Sequence, residues 1–161
     1  DILVRLRHAE FGQKDSIRFD ENLKFKTVGG RTVYGGGGVM PDVFVPADTS
    51  GYSEYMVKVN RLSQILYDYT FDFMDRHRSE MKNIKDYKQL LEYLKKFDLV
   101  NEMADYAVQR GVKRDAKGIR TSYAILDNTI KAFIGRHVLD DEGFYPIYQM
   151  NDETVREAVK E

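Results

Sequence analysis

Residues 53–77 read SEYMVKVNRLSQILYDYTFDFMDRH, and their spacing decides the fold class. Tyr55, Val59, Leu62, Leu66, Tyr69, Phe73 and His77 recur at intervals of four and three, which places them on one helical face. Met56, Tyr67, Phe71 and Met74 broaden that face. The polar stripe opposite is narrow: Lys58, Arg61, Asp68, Asp72 and Asp75. A helix with so little polar surface is expected at the centre of a bundle, covered on most sides. Ser53 supplies an N-cap oxygen, and Glu54 puts negative charge in the first turn.

Toward the C-terminus, no proline interrupts the chain from Ala47 to Tyr145. A second helix over about Asp86 to Phe97 turns Tyr87, Leu90, Leu91 and Leu94 inward and pairs Glu92 with Lys96 outside. A third follows Asp98, carries Val100, Met103, Ala104 and Ala107, and stops at Gly111. Lys113 to Lys117 reads as a charged connection. A long fourth helix runs from about Ala116 to Val138, with Ile119, Tyr123, Leu126, Ile130, Phe133 and His137 at the same four-three spacing. Asp140-Asp141-Glu142-Gly143 ends it. Phe144 to Tyr148, around Pro146, reads as a short extended piece, and Asp152 caps a last helix through Val159.

Toward the N-terminus the pattern changes. Phe25 to Val28 is expected as a strand, Gly29-Gly30 as a turn, and Arg31 to Tyr34 as the return strand. The glycine run Gly35 to Gly38 follows, which a folded chain keeps where it turns sharply or passes close to another backbone. Pro41 biases Met40 to extended geometry, so Val43-Phe44-Val45 is read as strand-like, closed by Pro46. Upstream, Ile2, Leu3 and Leu6 fall on one helical face, and Asp15-Ser16-Ile17 and Asp20-Glu21-Asn22 read as turns. The fold class is therefore mainly α (α+β): a helical bundle over 49–161, with a small β segment in 1–48. Two or three short strands do not make an independently stable sheet, so this segment is expected to add to something larger.

Bulk properties exclude several function classes. The 25 Lys and Arg against 26 Asp and Glu leave a net charge of −1, which offers no argument for nucleic acid or an anionic membrane. No run approaches the roughly 18 apolar residues that span a bilayer, so no transmembrane segment is expected. The absence of cysteine removes disulfides, thiolate catalysis and zinc–thiolate sites.

A phosphate-cradling loop needs Lys-Ser/Thr after its last glycine; Val39-Met40 stand there instead, so Gly35–Gly38 is read as a structural turn. His77 and His137 end the apolar stripes of the two longest helices, and antiparallel packing of those helices is expected to separate them. With His8 they show no ligand spacing, so no metal and no cofactor is expected. Asp68, Asp72 and Asp75 share a helix face and want cations from a neighbouring helix or a partner chain. The serines form no Gly-x-Ser-x-Gly elbow, and nothing in the sequence supplies the base and oxyanion donors that a nucleophile needs. No catalytic residue is assigned, and the chain alone is not expected to hydrolyse peptides.

The β segment carries a resemblance. Gly30-Arg31, Val33-Tyr34, Gly37-Gly38-Val39 and Pro41-Asp42 resemble the segment that follows the catalytic core of S41 serine peptidases, the C-terminal processing or tail-specific proteases. Gly30, Arg31, Gly37, Gly38, Pro41 and Asp42 are the structural motif. In that family the nucleophilic serine and its lysine base lie upstream, so the resemblance implies the non-catalytic end of a serine protease. It further implies upstream protease and PDZ regions as partners, protein or peptide substrates through the parent, no cofactor, and a periplasmic or cell-envelope location. Residues 1–48 then correspond to the end of the peptidase core. Residues 49–161 form a helical domain for structural support and oligomerisation, with a homo-oligomer among the expected partners. The alternative is an autonomous helical protein-interaction module, which eleven tyrosines, several on the 53–77 helix, permit.

Overall fold

A computed structural model of the chain describes residues 21–35, 43–46, 48–62 and 64–160. It shows a mainly α protein with a small antiparallel sheet near its N-terminal end. The strands are β1 (Lys24–Lys26) and β2 (Thr32–Tyr34). The helices are α1 (Glu54–Val57), α2 (Ile65–Met81), α3 (Tyr87–Leu94), α4 (Leu99–Gln109), α5 (Ala116–Tyr148) and α6 (Glu153–Lys160). The chain divides into two units, Asp1–Asp48 and Thr49–Glu161.

In the first unit β1 and β2 form a hairpin with Phe25 opposite Val33. Its connection is longer than the expected two-residue Gly29-Gly30 turn. Thr27 N–H donates to the Arg31 carbonyl and Gly30 N–H to the Thr27 carbonyl, both at 2.9 Å, which closes a three-residue loop, Val28-Gly29-Gly30. Gly30 takes the left-handed position of that loop at φ +79, where any side chain would be strained. Strand β1 consequently ends at Lys26 and not at Val28. No strand forms over Val43 to Val45; the described residues there are a bend and irregular chain. Gly37, Gly38, Pro41, Asp42 and the features read over residues 1–20 lie outside the described residues.

In the second unit Ser53 and Asp152 cap helices as expected, and Asp86 and Asp98, at the expected helix starts, do so too. The Ser53 side chain accepts from Met56 N–H, Asp86 from Lys88 and Gln89, Asp98 from Asn101, and Asp152 from Thr154 and Val155. Each satisfies backbone donors that a helix start leaves open, worth typically about 1 kcal/mol. Gly111, at φ +81, closes α4: its N–H donates to the Val108 carbonyl and Val112 N–H to that of Ala107, both at 3.0 Å. One expected pair changes partner. Glu92 binds Lys95, while the Lys96 ammonium sits 4.8 Å from the Tyr93 ring centroid.

The continuous helix expected over 53–77 is two helices. A single π turn, Lys58–Leu62, follows α1, and Gln64 then takes a left-handed φ of 55 before α2 begins. The chain reverses there. Gly51 lies against Ile125, Ser53 bonds Ser122 and Tyr55 packs on Gly118, so α1 runs against α5. Tyr67 then meets Phe133 and Phe71 meets His137, so α2 runs with α5. The expected antiparallel packing of the two longest helices is therefore corrected to parallel.

The central element is α5, which packs against α1, α2, α3 and α4. It buries Ile119, Leu126, Ile130 and Ile134 against Leu66 and Phe73 of α2 and the remaining core. By contrast α2 leaves Tyr67 and Phe71 exposed, so it is not covered on most sides as its pattern predicted. α5 itself folds back on itself. Asp140, at φ 53 and ψ −138, breaks it into arms 116–139 and 141–148. Asn128 Nδ2 of the first arm donates to the Tyr148 carbonyl of the second at 3.1 Å, and Phe133 meets Phe144 at 5.7 Å. The break at Asp140 matches the expected helix end, but residues 144–148, expected as extended, are helical. Pro146 is the sixth residue of the second arm, so the helix passes it without an amide for the Glu142 carbonyl.

The two arms meet at glycine. A Cβ on Gly135 would lie 2.6 Å from the Gly143 carbonyl oxygen, and one on Gly143 would collide with the Gly135 carbonyl. Gly143→Ala tests this directly. In an ordinary helix interior the change stabilises by about 1 kcal/mol. Here urea denaturation is expected to show destabilisation, because the backbones must separate; a more stable variant contradicts the hairpin.

Candidate functional site

Helix α2 and both arms of α5 together form an aromatic surface. Its connections begin at Phe71, whose ring lies 4.2 Å from His137 and 5.0 Å from Tyr67. Tyr67 reaches Phe133 edge-on at 5.5 Å, and Phe133 reaches Phe144. Phe144 stacks on Tyr148 at 5.0 Å and meets Tyr145 at 5.3 Å. These separations and tilts are those that aromatic quadrupoles favour. The Arg136 guanidinium lies 4.4 Å from the Phe144 centroid and pairs with Asp141. Tyr67, Phe71, Tyr145 and Tyr148 are 39–49% exposed, so the surface is solvent-facing. Half-buried Phe133 and buried Phe144 link the two exposed pairs from beneath, and exposed aromatic groups clustered in this way are features of recognition surfaces.

His137 sits at one edge of this surface, half-buried, with Nε2 3.3 Å from Thr70 Oγ1. Burial holds its imidazole below the ordinary histidine range. Beside it a depression of about 680 Å³ is floored by Met74, Met81, Ile84 and Val138 and edged by Arg78 and Lys82. Ser79 and Lys82, both exposed, also face it, and no hydrogen bond between them is found among the described residues.

His77 belongs to a separate cluster. Its ring lies between Phe73 at 4.5 Å and Phe97 at 4.8 Å, and its Nδ1 is 3.2 Å from the Tyr93 hydroxyl. That hydroxyl donates to Glu80 Oε2 at 2.9 Å. Burial, reinforced by the Glu80 carboxylate, pushes the Tyr93 phenol up to about 12. The Tyr93 and His77 hydrogen bonds hold the Glu80 carboxyl below its usual range. This is a locked polar cap on an aromatic core. Among the described residues no group of three acidic or histidine side chains could hold a metal ion.

The residues singled out in the sequence scatter. Gly30 ends the hairpin loop and Arg31 closes it, its N–H donating to Thr27 Oγ1 at 3.1 Å. Asp72 pairs with Arg76 at 2.9 Å and Asp75 with Arg78 at 2.8 Å, so the cations come from α2 itself and not from a neighbouring helix. Phe144, Tyr145 and Tyr148 were missed as surface residues because their segment was read as extended. Gly135 and Gly143 were the available signal: two glycines flanking an acidic helix end mark a close backbone approach.

No described helix is long and apolar enough to cross a membrane. A family model, described as "Family of unknown function (DUF8443)", matches residues 55–140, more than half of the chain. The match lies within the helical unit and does not reach the hairpin. No curated protein and no solved structure matches the chain.

Lowered histidine basicity links stability to pH. Above the unfolded histidine value of about 6.5 both states are neutral at His137 and its contribution is full. As pH falls through that value the unfolded chain takes a proton that the folded site refuses, so stability drops until the folded site titrates too. Unfolding free energies measured at pH 7 and pH 5 are expected to differ less in His137→Gln than in the parent. An equal pH dependence of both proteins contradicts the assignment.

Proposed function

The chain belongs to that family of unknown function, and we propose that its helical unit, 49–161, is a non-catalytic interaction domain that pairs with a second copy of itself. The observation that carries this reading is the chain of ring contacts from Phe71 to Tyr148, which turns two pairs of large aromatic side chains to solvent over half-buried Phe133 and buried Phe144. Aromatic residues and arginine are enriched at protein interfaces, where they offer large contact area with few rotatable bonds. Self-pairing is favoured by charge. The rim carries Arg136 beside Asp140, Asp141 and Glu142, so a two-fold arrangement can set one copy's cation against the other's carboxylates. A net charge of −1 adds little long-range repulsion between copies.

A second reading places this domain at the end of an S41-like serine endopeptidase. What supports it is the first unit. Its sheet has two three-residue strands, with Phe25 54% and Val33 40% exposed, too little to stand alone and shaped to join a larger sheet. In that setting the Ser-Lys dyad and PDZ region lie upstream in a cell-envelope protein, and the helical unit supports the core and drives oligomerisation.

Sedimentation velocity over a concentration series tests the pairing. The parent chain is expected to dimerise, and Phe71→Ser with Tyr148→Ser to weaken association at least tenfold while helicity by circular dichroism stays unchanged. A parent that is monomeric at every concentration overturns self-pairing. For the second reading, a form extended upstream through its own gene is expected to cleave a fluorogenic polypeptide and to take up a serine-reactive probe. An extended form that does neither removes the peptidase.

A further inference from the structure

Helix α6 has an apolar side that its own chain does not cover. None of its residues is buried, and Val159 is 81% exposed. Val155 and Val159 stand one turn apart with Ala158 beside them, so the apolar residues share one side. Met150, just before the helix, is exposed as well. The side-chain ties of α6 among the described residues are local. Asp152 caps its start, Arg156 reaches back to Met150 and Asn151, and Lys160 pairs with Glu157. An isolated helix of this length is marginal in water, and most helical stability comes from packing an apolar face.

A matching apolar feature lies at the far end of the aromatic surface. The depression floored by Met74, Met81, Ile84 and Val138 shares His137 with that surface. No residue of α6 lines it. The Tyr148 carbonyl is bonded to Asn128, and Val138 lies further along the same arm, about 15 Å away by helical rise. The ring surface therefore runs between two apolar features, the depression beside His137 and the helix that follows Tyr148.

The rings alone are too small for a stable pair. Tyr67, Phe71, Tyr145 and Tyr148 are 39–49% exposed, so together they offer on the order of 350 Å². A stable interface takes about 800 Å² from each partner. We propose that α6 of one copy docks in the depression of a second copy, an exchange of C-terminal helices that completes the pair. This rests on the self-pairing reading given above. In a two-fold pair, whatever one end of the surface meets, the other end meets equally. An axis that crosses the ring surface at right angles to its length sets Tyr148 against the partner's His137. Helix α6, about 12 Å long and starting just after Tyr148, is then within reach of the partner's depression. Val155 and Val159 meet flexible methionine side chains that adapt to them, and the contact is made twice.

The test uses the whole chain in mixed samples. Glu153→Cys, on the polar side of α6, carries a nitroxide in one population; a second, without cysteine, is isotope-labelled for amide detection. Broadening of the second population's amides then reports contacts between copies alone. It is expected at Ile84 and Val138. Val155→Ser with Val159→Ser is expected to abolish it and to weaken association in sedimentation at least tenfold. Neither valine belongs to the core, so the double variant should melt with the parent. Dimers that show no broadening at Ile84 and Val138, or double-variant dimers as tight as the parent's, overturn the exchange and leave the pairing standing. Broadening found only when both labels share one chain places α6 on its own depression and also overturns the exchange. A parent that is monomeric at every concentration removes the pairing, and the exchange with it.

Discussion

The contact between the backbones of Gly135 and Gly143 is the constraint on which the helical unit depends. Without a Cβ on either residue the second arm of α5 can lie directly against the first, and Asp140 accepts a left-handed φ to make the return. At ψ −138 Asp140 lies outside the left-handed helical well, and such a sparsely populated conformation costs on the order of 1–3 kcal/mol. Full burial of Ile147 on the returning arm contributes about 1.5–3 kcal/mol by area, enough to offset it. The same return sets Phe144 beside Phe133 and carries Tyr145 and Tyr148 to the surface. The aromatic face is thus a product of the reversal and not of any single helix.

A second reversal follows the same physics. Gln64 is the other non-glycine residue with positive φ among the described residues, and it lies between α1 and α2. Both flanks are tied to α5: Ser53 through a paired hydroxyl with Ser122, and Leu66 and Phe73 through complete burial. The long helix therefore acts as the shared wall for segments that run in opposite directions. One end of that wall carries the aromatic surface.

Local signals were legible in the sequence, and reversals were not. Ser53, Asp86, Asp98 and Asp152 cap helices because a short side-chain oxygen satisfies amides two or three residues on, an effect contained within one turn. The four-three spacing found the buried positions Tyr55, Val59, Leu66, Tyr69 and Phe73 even though the helix breaks among them, since both pieces lie on α5. The break itself left no mark, because Gln64 is neither glycine nor proline. Pro146 gave the opposite error: it argued for extended chain over 144–148, yet the short second arm is held in place by its packing on the first. Periodicity also places Tyr67 and Phe71 on a broad apolar face without saying whether anything covers it. The unpaired Tyr55 hydroxyl is a property of packing between segments, which no local pattern marks.

The reversal at Asp140 can be measured as a distance. The chain has no cysteine, so Ala124→Cys with Gln149→Cys gives a clean pair of exposed labelling sites. An uninterrupted helix would separate them by about 37 Å at about 1.5 Å per residue. Packed antiparallel arms, with axes about 8–10 Å apart, bring the two backbones to within about 20 Å. Pulsed electron spin resonance on the doubly labelled chain is expected to give the short distance. A distribution centred on the long distance contradicts the folded-back α5, and with it the aromatic surface built upon it.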